Sequence, residues 1–60
     1  MMVLKKGGWL KSNRGENWKI VEINGDKFTI RKYYKGSNVG TIDGLDIKDL
    51  KKCFKVQDEQ

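Results

Sequence analysis

The dipeptide Asn24-Gly25 stands between two runs rich in strand-forming residues, Trp18 to Ile23 and Lys27 to Lys35. Both residues tolerate positive φ, which a two-residue type I′ turn needs at its central positions, and that turn matches the twist of paired strands. The pattern predicts a hairpin with a fixed register. Ile23 is expected opposite Asp26, Glu22 opposite Lys27, Val21 opposite Phe28, Ile20 opposite Thr29, Lys19 opposite Ile30 and Trp18 opposite Arg31. Successive strand side chains point to opposite faces, so the register sorts them. Val21, Ile23, Phe28, Ile30 and, further along, Tyr34 fall on the face expected to form the core. Trp18, Ile20, Glu22, Lys27, Thr29, Arg31, Tyr33 and Lys35 fall on the other, with Glu22 and Lys27 as a cross-strand ion pair. Lys19 and Lys32 fall on the core side, where they are expected at the rim with stems buried and heads in water.

The rest of the chain is cut in the same way. Beyond the Gly7-Gly8 pair, glycines recur every four to eleven residues and proline is absent, leaving short pieces rich in Val, Ile, Thr and aromatics. Such pieces between turn residues read as strands. An N-terminal strand is expected within Val3 to Lys11, interrupted by a bulge at Gly7-Gly8. A turn at Gly36-Ser37-Asn38 leads into a strand from Val39 to Asp43, and Cys53 to Val56 closes the fold with Phe54 and Val56 inward. Between these, Asp46 to Lys51 places Ile47 and Leu50 three apart behind a capping aspartate, which fits one 3₁₀ or helical turn. Sixty residues make a single domain, spanning 1–60 with an ordered core over 3–56 and fraying expected at Met1-Met2 and Gln57 to Gln60. The expected fold class is all-β: a five-stranded SH3-like small barrel with one 3₁₀ or helical turn before the last strand. Closing the sheet on itself would remove its edges.

The stretch from Trp18 to Arg31, with its W…V-x-I-x-G-D-x-F-x-I spacing, resembles the Tudor/KOW type of SH3-like barrel. The later Asp46 to Lys51 is similar to the turn that leads into that family's last strand, so the resemblance runs from Trp18 to Val56. It implies a binding module. KOW-type members contact RNA, ribosomes or polymerase, and Tudor-type members hold methylated Lys or Arg in an aromatic cage. A cage needs several aromatics at one mouth and an acid to attract the cation. Only Trp9, Trp18, Tyr33 and Tyr34 could supply it, the register separates the two tyrosines, and the basic balance disfavours a cationic ligand. A weaker resemblance links Gly8-Trp9-Leu10-Lys11, Asn17-Trp18-Lys19, Tyr33-Tyr34-Lys35, Gly40-Thr41-Ile42 and Cys53-Phe54-Lys55-Val56 to the first five strands of a pleckstrin-homology domain. That fold is about twice as long and ends in a helix this chain lacks. Its phosphoinositide motif wants a basic residue where Val21 stands.

Catalysis has little to work with. There is no His, and the single Cys53 has no base beside it to activate it. Asp43, Asp46 and Asp49 form the only acidic group, too few ligands for a calcium loop and better read as capping and solubility. No enzyme activity, cofactor or metal is expected. One Cys forms no internal disulfide and no apolar run reaches ten residues, so a reducing, cytoplasmic setting without a membrane span or signal peptide is expected.

Charge carries the functional reading. The net charge is +5, and it is uneven: Met1 to Lys35 holds nine Lys/Arg against three Asp/Glu, a net of +6, while Gly36 to Gln60 holds four against five, a net of −1. Cations neutralise phosphates and flat rings stack on unpaired bases. The leading expectation is therefore a nucleic-acid-binding module for RNA or single-stranded DNA, using Lys11, Arg14, Trp18, Lys27, Arg31, Tyr33 and Lys35. The alternative is a small protein of the kind phage and mobile elements encode, which binds an acidic surface on a host protein and inhibits it, or sequesters a small anionic ligand. A homo-oligomer that covers the aromatic surface is a third reading.

Overall fold

A computed structural model describes residues 4–56. The elements are β1 (Trp9–Ser12), β2 (Asn17–Asn24), β3 (Lys27–Tyr34), β4 (Ser37–Asp46), α1 (Ile47–Cys53) and β5 (Phe54–Val56). They form one antiparallel five-stranded sheet in the order β4-β3-β2-β1-β5. All-β architecture with a short helix before the last strand is as expected. Closure is not: β4 and β5 are the two edges of the sheet. β5 is only three residues long. Instead of a β4–β5 ladder, α1 bridges the two edge strands and adds Leu50, wholly buried, to the core.

The first hairpin turns one residue later than the Asn-Gly rule implies. Asn24 pairs with Lys27, so Gly25 and Asp26 form the loop, and positive φ is taken by Gly25 alone. Glycine at the first central position is the type II′ requirement, whereas type I′ needs both. The type I′ pattern appears in the next hairpin, where Tyr34 pairs with Ser37 and both Lys35 (φ 54) and Gly36 (φ 83) are left-handed. That turn therefore lies one residue ahead of the expected Gly36-Ser37-Asn38, and β4 is longer than Val39 to Asp43.

A bulge decides the faces. Ile23 pairs with Phe28 and Glu22 with Thr29, but Ile20 pairs with Ile30, leaving Val21 as an extra residue in β2. Because the side-chain period is two, that one residue inverts the face of everything before it. Ile23, Phe28 and Ile30 keep the predicted core side. Trp18 and Ile20 move from the expected outer face into the core, and Lys19 moves from the core rim to the outside. Lys32 does sit half-buried at the rim, as expected. The Glu22–Lys27 pair is not formed. Glu22 lies 3.4 Å from Lys6, and Lys27 reaches Asp46 across β3 and β4 at 2.9 Å.

The buried core is Leu10, Trp18, Ile20, Phe28, Ile30, Leu50 and Phe54, with Leu4, Ile23, Ile42, Leu45, Ile47 and Val56 packed around it. Gly7 and Gly8 form the expected bulge just ahead of β1: Gly7 is left-handed (φ 88), and the two residues together face Ile20. They turn the chain onto β2, the Gly7 N–H donating to the Ile20 carbonyl and the Ile20 N–H to the Gly8 carbonyl. Val3, assigned to the first strand from sequence, and the ends expected to fray lie outside the described residues. The helix is longer than one turn. Asp46 caps it by accepting from the Lys48 N–H at 2.9 Å, Asp49 lies in its first turn and Lys51 and Lys52 in its last. Each charge lies at the end of the helix dipole that it complements.

Candidate nucleic-acid interface

The ladders place eight residues in two neighbouring rows on the side of the sheet away from the core. One row runs Thr41, Arg31, Lys19, Trp9 and the other Tyr33, Asn17, Lys11, Lys55. Four of the eight are cations, two are aromatic and none is acidic. The Trp9 and Tyr33 rings meet edge to face at a centroid distance of 5.6 Å. The Lys19 ammonium lies 5.7 Å from the Trp9 ring centroid, close enough for a cation–π contact. A shallow depression here is lined by Trp9, Asn17, Lys19, Tyr33, Lys35 and Gly36. Strands β1, β2, β3 and β5 supply the rings and cations, and the β3–β4 turn adds Lys35.

Of the residues proposed from sequence, Lys11, Arg31 and Tyr33 lie in these rows and Lys35 lines the depression. Arg14 is exposed in the β1–β2 turn, where its backbone N–H donates to Ser12 Oγ at 3.2 Å. Lys27 is not part of the group. It starts β3, six residues from Tyr33 and so roughly 20 Å along the strand. Hydrogen bonding to Asp46, reinforced by its charge, raises the Lys27 pKa above the ordinary lysine value. The same bond, with the Lys48 N–H, holds the Asp46 carboxyl below the usual range. Trp18 is corrected outright: it is 8% exposed and packs edge-on against Phe54 at 5.6 Å, so it offers no face to a base.

Trp9, Lys19 and Lys55 stand in the same rows but are not among the residues proposed from sequence. Trp9 carried a usable signal, since it alternates with Leu10 and shares its face with Lys11. Lys19 was assigned inward because nothing in Lys19-Ile20-Val21-Glu22, which contains no glycine, marks a bulge.

On the opposite side of Tyr33, Glu16 accepts from Ser12 Oγ at 3.2 Å and from Lys32 Nζ at 3.3 Å. Burial pushes its pKa up, but those two hydrogen bonds and the Lys32 charge outweigh it, and the net displacement is downward. The Trp18 indole N–H adds to that pull without reaching hydrogen-bond geometry, and is buried with no partner among the described residues. Asp43 accepts from Thr29 Oγ1, and Cys53 is exposed. Among the described residues no cluster of His, Cys, Asp or Glu could hold a metal ion, and no helix is long and apolar enough to cross a membrane. No family model, curated protein or solved structure matches the chain.

Proposed function

We propose that the chain is a non-catalytic module that binds single-stranded RNA or DNA across the outer face of its sheet. One observation carries the reading: two touching aromatic rings, Trp9 and Tyr33, stand in rows whose charged members are all cationic. Arg31, Lys19, Lys11 and Lys55 would neutralise phosphates, and the rings would stack on unpaired bases. A duplex hides its base faces, so a single strand suits this surface better. The strand count and the short helix before the last strand support an open relative of the SH3-like barrel of Tudor/KOW type. A reducing, cytoplasmic setting suits the single exposed Cys53.

The test is a titration of labelled single-stranded RNA and DNA at rising salt. Contacts to about four phosphates give a slope of log K against log salt near −3. Trp9→Ala is expected to weaken binding by roughly 5- to 150-fold, the equivalent of ~1–3 kcal/mol of stacking. Absence of binding at low ionic strength, or binding with no salt slope, refutes the reading. Protein binding has one observation in its favour: β4, ten residues long, is an open edge onto which an extended segment could add. A pull-down that keeps its partners after nuclease treatment would favour that alternative.

A further inference from the structure

Tyr33 and Asn17 line two depressions at once. On one side lies the hollow with Trp9, Lys19 and Lys35. On the other is a cleft of about 540 Å³ lined by Gly15, Glu16, Asn17, Lys32, Tyr33, Tyr34 and Val39. Tyr34 and Val39 are the exposed large hydrophobic side chains among the described residues, at 63% and 52%. The shared wall makes the two hollows neighbours, so a strand crossing the outer face could place successive nucleotides in both.

The second hollow has a different chemistry from the first. Its one acid, Glu16, is already neutralised by Lys32, so the pair has no net charge with which to attract a cation. An ionised carboxylate has about four acceptor positions. Ser12 and Lys32 use one on each oxygen, and the Trp18 indole N–H approaches the same carboxylate without bonding to it, so by count a position stays open on both. Two parallel neutral N–H donors on a planar edge fit that fork. Guanine presents this edge through its N1–H and N2 amino group. Adenine and cytosine present a single amino group beside an acceptor nitrogen, and uracil one N–H flanked by two carbonyls. The exposed Tyr34 ring offers a face on which the base can stack.

We propose that this cleft is a guanine-selective subsite, with the Glu16 carboxylate reading the base edge and Tyr34 stacking on it. The assignment rests on the single-strand reading above. It is tested with heptamers that differ only at the centre, U3-G-U3, U3-A-U3 and U3-inosine-U3, together with the matching thymidine DNA series. Guanine is expected to bind about tenfold tighter than adenine, in the range of one bidentate base contact. Inosine, which lacks the amino group, should lose most of that gain. In Glu16→Gln the guanine-to-adenine ratio should fall toward one, and a ratio measured on one protein does not depend on the fraction folded. Equal binding of all three oligomers overturns the subsite and leaves the single-strand reading standing. Guanine preference that survives in Glu16→Gln overturns the role of Glu16. No binding of any oligomer at low salt overturns the single-strand reading and the subsite with it.

Discussion

Substitution of Trp18 tests the core and the outer face together. The indole is 8% exposed and meets Phe54 edge-on at 5.6 Å, with the Lys32 ammonium 5.9 Å from its ring centroid. Trp18→Ala should cost about 3–5 kcal/mol. A 60-residue chain has a total stability of roughly 3–9 kcal/mol, so this variant is expected to be largely unfolded. Trp18→Phe is the sharper experiment. The smaller ring loses transfer energy and leaves a cavity, together roughly 2 kcal/mol. It also removes a buried N–H that has no hydrogen-bond partner among the described residues, which recovers about 1–3 kcal/mol. The two effects nearly cancel, and Trp18→Phe should lie within about 1 kcal/mol of the natural protein. Urea unfolding followed by circular dichroism measures both variants. With an m-value near 1 kcal/mol/M, the alanine variant loses about 3–5 M of midpoint and the phenylalanine variant less than about 1 M. Trp9 is then the only indole left, and its fluorescence reports binding at the outer face. If Trp18→Phe is as destabilising as Trp18→Ala, the indole N–H is satisfied and the reasoning fails. If folded Trp18→Phe no longer binds oligonucleotides, the assignment of Trp9 to the contact surface fails.

Lys35 holds a left-handed conformation (φ 54) that costs a non-glycine residue about 1–2 kcal/mol. Lys35→Gly should therefore raise the urea midpoint by about 1 M while weakening oligonucleotide binding; a drop in stability would contradict the turn assignment. The pH profile follows from three groups. The Asp46 and Glu16 pKa values are lowered, so their contribution is complete above the ordinary carboxylate pKa and is lost as pH falls through the folded values. The Lys27 pKa is raised, so its contribution is complete below about 10.4 and is lost as pH rises through the folded value. Asp46→Asn keeps an oxygen to cap α1 but ends the ion pair with Lys27. Compared with the natural protein across pH 2 to 12, it should lose the Lys27 part of the alkaline decline and keep the Glu16 part of the acid one. Identical alkaline profiles would show that the Lys27–Asp46 contact contributes nothing.

Much of the architecture was legible because its causes are local. Glycine spacing and β-branched content marked the strands, Asp46 marked the start of α1, and Phe54 and Val56 alternated as inward residues. Along β3, the pleat placed Phe28 and Ile30 inward and Arg31 and Tyr33 outward as expected, since β3 is uninterrupted and the bulges opposite it lie in its neighbours. The proposed contact surface was only half legible. The outward placing of Arg31, Tyr33 and Lys11 and the turn position of Lys35 could be read in the sequence, but Trp18, expected outside, lies in the core.

The cause of that error separates local from tertiary control. The sequence alone determined where the chain turns to within a residue, where the helix starts, and that basic charge gathers in the first 35 residues. Tertiary packing decided that Val21 is extruded as a bulge. Burying Ile20 and Trp18 against Leu10, Leu50 and Phe54 yields more than an unbroken ladder would, and none of those partners lies beside β2 in sequence. Packing also left the sheet open, because a helix carrying Leu50 covers the core where a barrel would pair its edges. A face or a closure depends on contacts between distant residues, so no window of sequence contains it.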